Sequence, residues 1–170
     1  MNLPQRKHPR LKNYDYSSNG CYHIVICIEN KSVRLSTVGR GLAPAAAEVR
    51  LTKYGRIFKE ELLALKQRYS IVKIDKYCIM PDHVHILLSI DDFGETAGAS
   101  PRPTVDGCVR IVKSISARRF NKVDNTPGRK VFQTSFYDEI IGSSAYYEEV
   151  WRYIDENPMK WLITKQKNNK

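Results

Sequence analysis

Over "CYHIVICIEN", residues 21–30, Tyr22, Ile24, Ile26 and Ile28 share one face and His23, Val25 and Cys27 the other. Apolar residues on both faces predict a central strand. The next segment allows two readings. A helix from Pro44 keeps Ala47, Leu51, Tyr54, Phe58, Leu62, Leu65 and Tyr69 at helical spacing. A helix from Thr52, which suits an N-cap, instead leaves "SVRLS" and "AEVRL" as extended pieces around a Gly-Arg-Gly turn, and this reading is preferred. "IVKIDKYCIM" and "HVHILLSI" alternate as two antiparallel strands joined by a tight turn at Pro81-Asp82. "DDFGETAGASPRP" is polar and turn-rich, the character of a surface loop. From Thr104, Val105, Cys108, Val109, Val112, Ile115 and Phe120 trace the apolar side of an amphipathic helix. "VFQTSFYDEII" alternates as a further strand, and Gly142-Ser143-Ser144 leads into a last helix that should stop or kink at Asn157, before Pro158.

The order strand, helix, strand, strand, helix, strand, helix is the βαββαβ pattern of an α+β, ferredoxin-like antiparallel sheet. Helices pack on one face, and one extra C-terminal helix is added. Residues 1–170 are expected to form a single domain, with 1–19 a basic N-terminal arm and 162–170 a polar tail. Such a fold hosts many chemistries, so function must come from particular residues.

Charge narrows the partners. Lys and Arg total 28 against 18 Asp and Glu, a net +10, which favours a polyanion, nucleic acid first and anionic membrane second. No apolar run approaches the ~18 residues a membrane helix needs, and the N-terminus lacks the apolar segment of a signal peptide, so a cytoplasmic location and no membrane partner are expected. Cys21, Cys27, Cys78 and Cys108 show no CxxC spacing and read as small buried hydrophobes in a reducing compartment, not zinc ligands. The polar side of the helix after Thr104 carries Arg110, Lys113, Arg118, Arg119 and Lys122, a cationic rib, with Arg129 and Lys130 just beyond.

Two histidines stand out. On a strand, residues two apart point the same way, so His83 and His85 project in parallel and can jointly bind a divalent ion through neutral imidazoles. Alone, such a pair is more often solvent alternation than a ligand set, and a further ligand is required. In the last helix Tyr153 and Asn157 lie four apart, on adjacent turns of one face. A tyrosine hydroxyl, titrating near ~10, needs a metal or base to become an effective nucleophile toward phosphate. The competing reading is that Tyr146, Val150, Tyr153, Asn157 and Trp161 form a stripe that simply packs on the core.

His83-Val84-His85 after Met80-Pro81-Asp82, together with "WRYIDENPMKW", resembles the single-tyrosine transposases of the histidine-hydrophobic-histidine (HUH) endonuclease superfamily, and among them the REP-associated tyrosine transposases. The N-terminal "RLKNYDYSSNGCYHIVICIEN", "VRLTKYGRIFKEEL" and "FQTSFYDEIIGSSAYYEEVWRYIDENP" extend the likeness over residues 10–161. This resemblance implies that His83, His85 and Asn157 bind Mg²⁺ or Mn²⁺, and that Tyr153 attacks a DNA phosphodiester to give a 5′-phosphotyrosine link and a free 3′-hydroxyl. It implies single-stranded or hairpin DNA, typically REP-like palindromes, as substrate, a nucleoid-associated location in a bacterium, and action as a monomer or homodimer. The basic residues Arg110 to Lys130 named above would then contact phosphates. A non-catalytic nucleic-acid-binding domain on the same scaffold is the alternative; it accounts for the charge and fold but not for the His pair with Tyr153 and Asn157.

Overall fold

The computed structural model describes residues 18–41, 47–91 and 102–168. Most of the expected basic arm, and most of the expected loop after Ile90, lie outside these residues. Strand β1 (Gly20–Cys27) is followed by a hairpin of β2 (Ser36–Arg40) and β3 (Ala47–Leu51), then helices α1 (Lys53–Leu63) and α2 (Leu65–Arg68). Strands β4 (Val72–Ile79) and β5 (His83–Ile90), helix α3 (Val105–Asp124), strand β6 (Tyr137–Ile141) and helix α4 (Ser144–Asn168) complete the chain. The main sheet is antiparallel in the order β4-β5-β1-β6, as the βαββαβ pattern requires.

Period-two alternation sorts the central strands into two unlike faces. Tyr22, Ile24 and Ile26 of β1 and Val84, Ile86, Leu88 and Ile90 of β5 face α1 and α3, where Phe58, Leu62, Cys108, Val109, Val112 and Phe120 complete the main core. The reverse face carries His23, His83, His85 and Leu87, and α4 packs there through Val150 and Ile154. The two inter-strand helices thus share one face, as expected, while the added C-terminal helix takes the other.

Local chemistry explains the boundaries. Thr52 caps α1, its side chain accepting from the Gly55 amide, which supports the preferred reading over a start at Pro44. Thr104 caps α3 in the same way, and Asn125 ends it in the left-handed region. Three expectations are corrected. The first extended piece is residues 36–40, not "SVRLS" at 32–36: Val33 and Leu35 are buried in the main core, and the Leu35 amide donates to the Pro81 carbonyl instead of to a hairpin partner. The strand expected over 131–141 shortens to Tyr137–Ile141. Val25 pairs with Tyr137 and Ile28 with Phe132, so three residues along β1 face five along this segment, and the excess bulges out of the ladder.

The last helix neither stops at Asn157 nor leaves 162–168 as a tail; it continues through Pro158 to Asn168. An interior proline costs about 3 kcal/mol. Pro158 is itself buried and Trp161, beyond it, packs against His83 with ring centroids 5.9 Å apart, contacts that a helix ending at Asn157 would lose.

One position tests this frame. A Cβ at Gly55 would collide with the backbone carbonyl oxygen of Leu35, which also receives the Thr52 amide, whereas nothing lies near a Cβ at Gly39. Gly55→Ala should destabilise the fold by about 1–3 kcal/mol, and Gly39→Ala should stay within about 0.5 kcal/mol. Thermal denaturation of both variants checks this; equal melting temperatures would contradict the close approach.

Candidate active site

Strand β5 places His83 and His85 on one face, and antiparallel pairing sets Cys27 opposite His83 and Val25 opposite His85. The next same-face residue of β1, His23, lies diagonally against His85. Three of the chain's 4 histidines therefore converge, all buried, with exposures of 6%, 6% and 1% for His23, His83 and His85. Helix α4 crosses this cluster. The Tyr153 ring meets His85 edge-on with centroids 5.4 Å apart and lies 6.1 Å from His23, while Trp161 sits 5.9 Å from His83. Asn157, one turn beyond Tyr153, has no exposed surface.

Each histidine is held by one ring nitrogen. His83 Nδ1 donates to Asp82 Oδ1 at 2.7 Å, and His85 Nδ1 lies 3.1 Å from His23 Nε2. The other nitrogens, His83 Nε2 and His85 Nε2, are buried without a hydrogen-bond partner among the described residues, as are both amide atoms of Asn157. Each such orphan costs roughly 1–3 kcal/mol, so a cluster of them marks a place built for something else. Two imidazole nitrogens and an amide oxygen form a donor set that a divalent cation accepts. No group of three His, Cys, Asp or Glu among the described residues is placed to hold a metal; the third donor here is a neutral amide.

Burial disfavours the charged forms of His23 and His85. Desolvation pulls the His23 pKa down to about 4, against a weaker upward pull from Glu139, and lowers that of His85, with His83 and His23 adding to the effect. Burial works to raise the Asp82 carboxyl, but the hydrogen bond from His83 and its charge outweigh it and the net shift is downward. Two clefts flank the histidines. One, about 780 Å³, opens between His23, His85, Tyr153, Tyr146 and Glu139; the other, about 470 Å³, lies between Asp82, His83, Trp161, Lys31 and Lys165. Within the larger, Tyr137 donates to Glu139 at 2.9 Å, and burial followed by the hydrogen bond to Glu139 pushes the Tyr146 phenol up.

The basic residues do not join this cluster. Arg110 pairs with Asp106 at 3.3 Å, Arg119 with Glu60 and Glu61 at 2.7 Å each, Arg129 with Asp124 at 2.8 Å and Lys130 with Glu29 at 3.0 Å. Arg118 and Lys122 are exposed on α3, which packs on the far face of the sheet. Lys113 alone reaches the rim, donating to the carbonyls of Gln133 and Thr134, and Gln133 borders both clefts. Three carboxylates lie on or beside these strands: Asp82 orients His83, Glu139 faces His23 across the β1–β6 pair, and Asp138 pairs with Ile24, whose side chain faces the main core. His23 is the residue sequence reasoning passes over; its place on the polar face of β1 was visible, but its match to His85 depends on strand register.

The antiparallel sheet thus carries α1 and α3 on one face and, on the other, a tyrosine-bearing helix over the paired-histidine strand. The sequence profile described as "Transposase IS200 like" matches residues 16–157. The chain belongs to this IS200-like transposase family. An uncharacterised protein of Haemophilus influenzae (strain ATCC 51907 / DSM 11121 / KW20 / Rd) is 28% identical over 173 residues, covering 94% of this chain and 91% of its own. Among solved structures, a REP-associated tyrosine transposase bound to a REP hairpin superposes with a TM-score of 0.61 at 15% identity, covering 89% of this chain and 73% of that one. A putative transposase from Deinococcus radiodurans R1 gives 0.47 at 19% identity, over 88% and 96%. The first of these two structures supports the α+β fold.

The orphaned amide makes a prediction. Asn157→Leu replaces two buried, unpartnered polar atoms with apolar ones of similar volume, so the metal-free protein should gain about 1–3 kcal/mol. A lower melting temperature in the variant would show that Asn157 has a structural partner.

Proposed function

We propose that this transposase-family chain is a metal-dependent single-stranded DNA endonuclease and strand transferase acting at hairpin-associated sites. Tyr153 is the nucleophile. Its phenolic oxygen forms a bond to phosphorus, the bond from phosphorus to the 3′ oxygen breaks, and the chain is left with a 5′-phosphotyrosine link and a free 3′-hydroxyl. The phenol gives up its proton and the departing 3′ oxygen takes one up. The observation that carries this reading is that His83 Nε2, His85 Nε2 and the Asn157 amide are all buried without a partner, while Tyr153, one helical turn before Asn157, packs edge-on against His85.

Those three atoms would hold Mg²⁺ or Mn²⁺, which when bound supplies Lewis-acid polarisation of the phosphate and charge neutralisation. The protein's own residues do the rest. Asp82 orients His83 through its 2.7 Å hydrogen bond. The Tyr153 ring is braced edge-on against His85, which limits where its hydroxyl can swing. Lys160, paired with Glu156 at 2.9 Å, holds its amino group 5.1 Å from the centre of that ring. With only a neutral amide as third ligand, metal affinity should be low until DNA adds phosphate oxygens.

Hairpin DNA is supported as the partner by the +10 charge and by the similar fold of a protein bound to a REP hairpin. The exposed Arg118 and Lys122 suit phosphates of the hairpin stem, remote from the cleavage site; Lys113 instead holds the 133–134 segment at its rim. The activity belongs to the bacterial cytoplasm, at the nucleoid, and no helix among the described residues is long and apolar enough to cross a membrane.

Labelled single-stranded hairpin DNA incubated with the protein and Mn²⁺ should yield a covalent adduct on a denaturing gel. Tyr153→Phe should lose the adduct while retaining hairpin binding, and His83→Ala should cut cleavage more than about 100-fold at fixed Mn²⁺. Equal adduct from Tyr153→Phe would remove the nucleophile assignment. Binding without adduct across several hairpins and metals would favour the non-catalytic nucleic-acid-binding reading.

A further inference from the structure

We propose that His23 is a positioning residue: it fixes His85 in the tautomer protonated on Nδ1, so that Nε2 presents a lone pair to the interior of the site. The purpose of this arrangement rests on the metal reading above, but the tautomer itself is a property of the chain alone.

The geometry leaves two choices. His23 Nε2 and His85 Nδ1 lie 3.1 Å apart, with rings nearly parallel at 15°. Both rings are buried, an environment that favours neutral imidazoles. A hydrogen bond between two neutral imidazoles contains one proton, carried by one ring and accepted by the other. If His23 Nε2 carries it, the only N–H of His85 is on Nε2, a buried atom with no acceptor among the described residues. If His85 Nδ1 carries it, Nε2 holds only an unfilled lone pair. A buried orphan donor is the rarer and costlier defect, so the second arrangement wins.

The surroundings of His23 point the same way. Accepting at Nε2 puts the His23 proton on Nδ1. Glu139 stands directly opposite His23 in the β1–β6 register, and its negative charge favours positive character on that ring. The polarity therefore runs from Glu139 through His23 to His85. His83 reaches the same tautomer by a different route, because the Asp82 carboxylate can only accept and forces the proton onto His83 Nδ1. The two histidines thus present matched Nε2 lone pairs, one backed by a carboxylate and the other by a neutral imidazole. Such backing groups fix ring orientation and ligand basicity, and the nitrogen that is protonated is set by the hydrogen bond the other makes.

The test is two-bond ¹H–¹⁵N correlation spectroscopy of histidine-labelled, metal-free protein near neutral pH, paired with Mn²⁺ affinity. In the wild type, His85 should be protonated on Nδ1. His23→Phe keeps a ring of similar size but removes the acceptor; His85 should move toward the Nε2-protonated form, and Mn²⁺ affinity should fall roughly 10–100-fold. His23→Gln, which retains an acceptor, should restore the Nδ1 tautomer and most of the affinity, a rescue that a merely space-filling role would not produce. Should the phenylalanine variant fail to fold, the wild type and the glutamine variant still decide. An Nε2-protonated His85 in the wild type, or a His23→Phe variant with unchanged tautomer and affinity, would overturn the proposal. Loss of the proposal in this way leaves the Tyr153 adduct assay untouched; a correct tautomer without any adduct would instead remove the nuclease reading and keep His23 in its role.

Discussion

The structure depends on one packing decision: α4 lies across the face of the sheet that carries the histidines. Leu87 of β5, with Val150 and Ile154 of α4, forms a small apolar anchor at one end of that contact. Beyond the anchor, residue numbers rise along α4 as they fall along β5, so Tyr153 meets His85 and Trp161 meets His83. Asn157 falls midway in sequence between the two aromatic contacts and is sealed from solvent. The same packing that carries the helix through Pro158 also strips water from four polar atoms and gives them nothing in return.

That deficit is best understood as stored capacity. Buried polar groups are ordinarily paired; the main core on the other face is built from apolar residues such as Tyr22, Ile24, Phe58 and Phe120, with Ser116 Oγ its one exception on α3 among the described residues. The unlike faces of one sheet therefore divide the labour: the larger apolar core lies on the side facing α1 and α3, and the α4 side carries the unpartnered polar atoms of His83, His85 and Asn157. The two inner ring contacts, Asp82 with His83 and His23 with His85, keep the site ordered while it is short of partners. Positive charge is abundant, and part of it is tied into local pairs such as Arg119 with Glu60 and Glu61, so attraction of a polyanion would be a property of the whole surface.

Much of this was legible in the residues. Alternation identified β1, β4 and β5, Thr52 and Thr104 marked helix starts, and His83, His85, Tyr153 and Asn157 were singled out before their contacts were known. What was not legible depends on three-dimensional register. His23 meets His85 only because β1 and β5 pair as they do. The bulge after Phe132 shortens β6 by a mismatch between two strands that no single stretch displays. The cationic rib on α3 looked like a binding surface because Glu60 and Glu61, which neutralise Arg119, come from a different helix. Pro158 predicts a stop or kink at Asn157, because the contact that holds the helix beyond it, Trp161 against His83, comes from another element.

The central claim is that α4 closes a cage of two imidazoles and one amide. Pulsed EPR of Mn²⁺ bound to the Tyr153→Phe protein with hairpin DNA tests it most directly. The account predicts nitrogen couplings from two imidazoles, reduced to one in the additional His85→Ala variant. A spectrum without imidazole coupling, like that of hydrated Mn²⁺, would contradict it.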